Sequence, residues 1–229
     1  MLRADEITVR YGSRIVLDRL SFEVAPGEIV GLGGPSGCGK STLARVLALM
    51  LRPDGGRVSV DGTPTPGWRQ RAPRALRTSV ALLYQQPRLA VDPRLTLAEI
   101  IAEPLAAAKL PRDRAAELAE RAGLTPDLLT RRPHEVSDGQ LQRACLARAL
   151  TLRPRYLVCD EMTTMLDAST QALLVGVVRD YREEEGAGVL AISHDQVLLE
   201  RWADRRAELS GAGSRPVTPS PSPVPRSRS

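Results

Sequence analysis

Residues 34–42 read Gly34-Pro35-Ser36-Gly37-Cys38-Gly39-Lys40-Ser41-Thr42, a run that joins permissive backbone to one ammonium and several hydroxyls. The spacing Gly34-x-x-x-x-Gly39-Lys40-Ser41 is the phosphate-binding loop pattern, and it falls between an apolar stretch and a helical one, as that pattern requires. Glycines let backbone N–H groups converge on phosphate oxygens, and the helix that follows offers its positive end. On this reading Lys40 reaches the β- and γ-phosphates of a nucleoside triphosphate, and the Ser41 hydroxyl binds Mg²⁺. The plainer alternative is a glycine-rich turn capping a core helix. A second group lies downstream, where the apolar run Tyr156-Leu157-Val158-Cys159 ends in Asp160-Glu161. Asp160 can hold Mg²⁺ directly or through water, and Glu161 can orient and deprotonate an attacking water. Alone, such an acidic pair is often a helix cap; downstream of a phosphate loop the metal-and-base reading is the stronger one.

The chain must supply strands and helices to hold these groups. Ile7-Thr8-Val9-Arg10, Ile15-Val16-Leu17 and Leu20-Ser21-Phe22-Glu23-Val24 alternate weakly between turns at Tyr11-Gly12-Ser13 and Ala25-Pro26-Gly27, predicting short antiparallel strands. Glu28 to Gly33 is an apolar strand leading into the loop. Leu43, Val46, Leu47 and Met50 then fall at helical spacing, and Pro53-Asp54-Gly55-Gly56 stops that helix. Strands are expected over 57–60, 79–84, 156–159 and 189–192, with a helix over 168–184. Residues 87–152, with Ile100, Ile101, Leu105 and an alanine-rich run, predict a helical insertion. Strand–helix–strand alternation of these lengths argues an α/β fold, a mostly parallel sheet covered by helices. The expected organisation is one domain over 1–210, with core 1–86 and 153–210 around the insertion. Residues 211–229 are dominated by Gly, Pro and Ser, which predicts disorder.

Composition removes other classes. The chain has 229 residues, 42 % hydrophobic and 26 % charged, which suits one compact domain. No stretch approaches the ~18 apolar residues of a membrane span, and Met1-Leu2-Arg3-Ala4-Asp5-Glu6 lacks the apolar core of a signal peptide; a soluble, cytoplasmic chain is expected. Cys38, Cys145 and Cys159 lack metal-ligand spacing and read as reduced thiols. The net charge of +5 includes Arg215, Arg226 and Arg228 in an acid-free final segment, so residues 1–214 carry only +2 and no nucleic-acid partner is expected. The chain has only two lysines, Lys40 and Lys109; that one of them stands in the loop suggests a need for a compact ammonium rather than a planar fork.

Val136-Ser137-Asp138-Gly139-Gln140, continuing Leu141-Gln142-Arg143 into Ala147-Arg148-Ala149-Leu150, resembles the signature segment of ABC-type ATPases, usually Leu-Ser-Gly-Gly-Gln. Other elements of that family stand in order. Tyr11 resembles the aromatic that stacks on adenine; Gln85 resembles the glutamine leading into the insertion, which places it among the catalytic and metal-binding residues. Asp167 resembles the loop aspartate and His194 the histidine that contacts the γ-phosphate. Each has a structural alternative: a tyrosine packed in a turn, a rival in adjacent Gln86, an N-cap for the helix from Ala168, a structural histidine. The resemblance covers roughly residues 4–205. It implies a P-loop ATPase core with an N-terminal antiparallel β subdomain and a helical insertion, binding ATP and Mg²⁺. It further implies a site shared by two subunits, in which Ser137 and Gly139, with Gln140 beside them, meet the nucleotide held by the partner's loop.

Within that family, Tyr84-Gln85-Gln86-Pro87 through Asp92-Pro93-Arg94 to Glu103-Pro104-Leu105 is most similar to ATPases of peptide and nickel importers, which show Asn-Pro-Arg where this chain has Asp92-Pro93-Arg94. This implies a second ATPase subunit, identical or related, a transmembrane permease, an extracytoplasmic solute-binding protein, and a peripheral position on the cytoplasmic face of the membrane. Three departures stand out. Asp138 replaces a glycine of the signature, where a carboxylate would oppose a bound triphosphate. Met165-Leu166-Asp167 differs from the commoner Ala-Leu-Asp. Only 34 residues follow Asp195, so the family's final strands are expected to be largely missing. Two alternatives remain beside a transporter ATPase: a non-transport ABC-type ATPase of DNA repair or ribosomes, and a regulatory half-site of low turnover.

Overall fold

The computed structural model describes residues 1–162, 166–210 and 217–221, the last group by backbone alone. Its N-terminal hairpin pairs β1 (Leu2–Tyr11) with β2 (Arg14–Val24). The apolar residues of β1 change phase, because Leu2 and Ala4 are followed by Ile7 and Val9, an odd step that would turn a regular strand's side chains to opposite faces. The ladder slips between Ala4 and Ile7, where Glu6 adopts a φ of 48°, and all four side chains end up buried. Bulges of this kind merge the several short strands suggested by the broken alternation into two strands of ten and eleven residues. β4 (Gly55–Val60) pairs with the other edge of β1, and β5 (Thr63–Pro64) completes a four-stranded antiparallel sheet ordered β2-β1-β4-β5.

The second sheet has the order β10-β9-β3-β8-β7-β6. Its strands β3 (Ile29–Gly33), β6 (Val80–Leu83), β7 (Tyr156–Asp160), β8 (Gly188–Ile192) and β9 (Arg205–Glu208) are parallel. Every residue of β3, β7 and β8 is buried, as expected of strands covered on both faces. The period of two then decides which side chain faces which layer. Val30, Leu32, Tyr156, Val158, Leu190 and Ile192 share a core with α1 (Lys40–Leu47) and the antiparallel sheet. Ile29, Leu157, Cys159, Val189 and Ala191 share the other core with α3 (Leu97–Ala108), α4 (Asp113–Arg121), α6 (Asp138–Leu150) and α7 (Ala168–Glu185). The helices of the insertion therefore continue the hydrophobic layer on one sheet face. α2 (Arg74–Ser79), α5 (Pro126–Leu129) and α8 (Gln196–Trp202) complete the helices of the described residues.

Val217–Pro221, read from composition as part of a disordered tail, forms β10, antiparallel to β9 at the sheet edge. Pro219 and Pro221 lack an N–H for a ladder, and an edge strand is where a sheet tolerates them. The rest of 211–229 lies outside the described residues, as does Met165. No described helix is long and apolar enough to cross a membrane.

Candidate active site

The loop from Gly34 to Gly39 leaves the end of β3 and turns into α1. Two of its glycines are demanded by geometry. Gly34 has φ 132° and a Cβ there would lie 2.3 Å from the Leu209 carbonyl oxygen; Gly39, capping α1, has φ 110° and a Cβ would lie 2.7 Å from Leu17. Pro35, Ser36, Gly37 and Cys38 complete the arc, and the first N–H groups of α1 at Lys40, Ser41 and Thr42 lie at its mouth. Lys40 is 5 % exposed and its ammonium donates to the Gly34 and Pro35 carbonyls at 2.7 and 2.9 Å, held inside the curve of the loop.

β7 delivers the carboxylates to the same end of the sheet. Ser41 Oγ donates to Asp160 Oδ1 at 3.1 Å, so the two groups expected to share a metal are neighbours. Burial pushes the Asp160 carboxyl above the usual aspartate range and the Glu161 charge adds to it, while the Ser41 hydroxyl and the cations Arg45 and Lys40 oppose the rise. Glu161 sits in the left-handed region at φ 52°, a strained conformation for glutamate, with its N–H donating to the Ile192 carbonyl. Its carboxylate is gripped from both sides: Gln85 Nε2 donates to Oε2 at 2.8 Å, and His194 Nε2 lies 2.5 Å from Oε1. Between Gln85 and its rival Gln86, the structure puts Gln85 on the carboxylate.

Tyr11 stands at the tip of the hairpin, half exposed, and its cross-strand partner Arg14 reaches the Gly37 carbonyl at 3.5 Å, which sets that tip beside the loop. Ser137, Gly139, Gln140 and Asp167 gather elsewhere. Ser137 caps α6 in a reciprocal box with Gln140: Gln140 N–H donates to Ser137 Oγ at 3.2 Å, and Ser137 N–H to Gln140 Oε1 at 3.0 Å. A Cβ on Gly139 would touch Thr170 and Leu166 at 3.4 and 3.5 Å, so the signature turn faces the start of α7. Asp167 caps that helix by accepting from the Thr170 N–H at 2.9 Å and the Thr170 hydroxyl at 2.8 Å; hydrogen bonds, first from Ser169, hold its carboxyl well below the usual range. Among the described residues no hydrogen bond joins this second group to the phosphate loop. The residues expected to meet nucleotide thus fall into two separate groups on one chain.

Residues without a predicted role tie the Gln85 segment down. Gln142, 2 % exposed, donates to the Tyr84 carbonyl at 3.2 Å, and Arg148 donates to the Ala90 carbonyl at 2.6 Å. Arg88 binds Asp138 and the carbonyls of Pro133 and Val136. In sequence these are ordinary polar residues near a motif; only the fold shows that the insertion grasps the segment after Gln85.

Residues 17–164 match a family model described as ABC transporter. The chain is 38 % identical over 196 residues to a probable peptide ABC transporter ATP-binding protein of Sinorhizobium fredii, covering 83 % of this chain and 56 % of that protein. It is 39 % identical over 196 residues to a glutathione import ATP-binding protein of Pectobacterium atrosepticum, covering 83 % and 32 %. The chain therefore spans only part of the length of these relatives. Among solved structures, a bacterial ABC transporter cassette in dimeric form superposes with a TM-score of 0.87 at 26 % identity, over 98 % of this chain and 100 % of that one. A dimeric cassette in a post-hydrolysis state, bound to ADP and Pi, gives 0.86 at 26 % identity, over the same shares.

Proposed function

The chain belongs to the ABC transporter family, and from that premise we propose that it binds ATP with Mg²⁺ and hydrolyses it to drive an importer of peptide-like or nickel-type solutes. The observation that carries this reading is the placement of Glu161. It lies one residue beyond the metal-side Asp160, at the end of a strand beside the phosphate loop, and is held by Gln85 and His194. A carboxylate fixed from two sides cannot swing, so its remaining lone pairs are aimed for accepting a proton from water. Gln85 orients the acid, and His194, nearly half exposed, is free on its open side to meet a γ-phosphate. Lys40 and the α1 N–H groups bind the phosphates and absorb the charge that develops on them.

No cluster of three metal-binding side chains occurs among the described residues. The Ser41–Asp160 pair nevertheless suits Mg²⁺, which takes one or two protein oxygens and completes its shell with phosphate and water. Bound there, with Gln85 as a further oxygen ligand, the ion would neutralise phosphate charge.

The second set of contacts, Ser137, Gly139 and Gln140, supports a shared site in which two ATPase subunits, identical or related, close face to face on ATP. A groove of about 1360 Å³ between the end of α1, residues 66–71, β6 and the helical insertion, lined among others by Leu49, Trp68, Leu83, Tyr84, Leu89 and Pro104, supports docking to a transmembrane permease at the cytoplasmic face of the membrane. Leu89 there is 83 % exposed, an apolar side chain suited to a partner. An extracytoplasmic solute-binding protein would complete the importer. Glu161→Gln is the test: the variant should bind ATP as tightly as the parent, accumulate as the ATP-bound dimer and lose at least a hundredfold in turnover, the scale of general-base loss. Hydrolysis at the parental rate would refute the role.

A further inference from the structure

Asp138 is the least expected residue of the signature segment, because its carboxylate would stand where a partner's triphosphate is to approach. The fold supplies it with a counter-ion from across the chain. Arg88, in the short turn Pro87–Leu89, donates from Nε to Asp138 Oδ1 at 2.7 Å, and its Nη2 lies 2.7 Å from the same oxygen. The same guanidinium donates from Nη1 to the Pro133 carbonyl at 2.6 Å and from Nη2 to the Val136 carbonyl at 3.1 Å. Those carbonyls belong to the first residue of the turn Pro133–Glu135 and to the residue that follows it, immediately before the Ser137 cap. A guanidinium offers five donors in a fixed planar fork and so serves a carboxylate and two carbonyls from separate nitrogens, where an ammonium would have to do so from a single point.

We propose that Arg88 is a positioning residue: it locks the signature turn to the segment that follows Gln85 and neutralises Asp138, so that Ser137 and Gly139 meet the partner's nucleotide in register. The inference rests on the shared-site reading above. Arg88 stands three residues after Gln85, whose amide holds Glu161. The arginine therefore links the loop that senses the hydrolytic carboxylate to the turn that completes the neighbouring site. An exposed ion pair alone would contribute little; the two carbonyl bonds fix the turn's backbone, and the charge matters because it removes repulsion at the moment of closure.

The test uses the Glu161→Gln chain with its partner ATPase subunit, a second copy or a related chain, and reads the ATP concentration at half-maximal pairing. Arg88→Ala should raise that concentration about tenfold, the scale of one or two charge-assisted hydrogen bonds. ATP affinity of the isolated subunit, which uses the phosphate loop, should not move. Arg88→Lys should recover part of the loss through its charge, and adding Asp138→Gly to Arg88→Ala should recover part by removing the exposed carboxylate. An unchanged pairing concentration in Arg88→Ala overturns the inference, and so does an equal loss in isolated-subunit affinity. If Glu161→Gln itself fails to pair on ATP, the shared-site reading falls and this inference with it; pairing that ignores Arg88 sinks the inference alone.

Discussion

Burying a carboxylate without a full counter-charge costs free energy, and Asp160 shows how that cost is held in the site. Its side chain is 6 % exposed with one hydroxyl donor, and burial raises its pKa. For an acid raised in the fold, the folded state binds the proton more tightly than the unfolded chain. Stability therefore falls as pH rises from the ordinary aspartate value through the raised one, and stays low above it. In metal-free protein, Asp160→Asn should thus raise Tm at pH 7–8, and the gain should shrink as pH is lowered into that window; calorimetry in a chelator, with an unchanged gain at acid pH, would count against this account. The same residue scale separates the three thiols. Burial pushes Cys145 up to about 11 and Cys159 higher still, so neither is reactive at neutral pH. Cys38, in the loop with its sulfur 3.9 Å from the Lys40 ammonium, is the site where a maleimide should add. It is only 3 % exposed, so labelling should be slow, and ATP should slow it further. Mass spectrometry that finds equal labelling with and without ATP would argue against the loop as the ATP site.

At the scale of elements, the motifs are legible because their chemistry is local. A loop from strand to helix, an acidic pair at a strand's end and a serine three residues before glutamine at a cap are set by neighbours in sequence. β3, β7 and β8 are equally plain, since burial on both faces leaves an unbroken apolar run such as Val189-Leu190-Ala191-Ile192. What local pattern obscured is long-range. The phase slip at Glu6 makes sense only once Val58 and Val60 of β4 lie across the ladder, and α8 and β9 exist because Trp202 and Leu209 have a core to enter. Arg88 and Gln142 are silent in sequence because their acceptors lie 45 to 58 residues away. The cap on α6 carries its own prediction. Ser137→Ala removes an acceptor for the Gln140 N–H and should cost about 1 kcal/mol of subunit stability. If the same hydroxyl also meets a partner's nucleotide, turnover should fall at least tenfold while isolated-subunit ATP affinity stays constant. Loss of stability with undiminished turnover would leave Ser137 a cap and nothing more.

Considered as a whole molecule, the C-terminal strands and the phosphate loop form one mechanical unit although some 170 residues separate them. β9 runs beside β3, Leu209 donates its N–H to the Gly33 carbonyl at 3.1 Å, and its own carbonyl is the atom that forbids a side chain at Gly34. Leu209 is 1 % exposed in the core shared with α1. The last strand to pair with the central β3 thus braces the loop from behind, and β10 lies one position further out. Support should end where this contact ends. Leu209→Ala should cost about 2–5 kcal/mol, as for other buried leucines, and loosen the loop enough to weaken ATP binding. A chain stopped after Ser210 keeps β9 and Leu209 and, among the described residues, loses only the edge strand β10, so its ATP affinity should match the full chain and its Tm should drop by no more than a few degrees. Thermal melts and nucleotide titrations on both variants check the difference. Equal loss of ATP binding in the two would mean that β10, not Leu209, holds the loop in place.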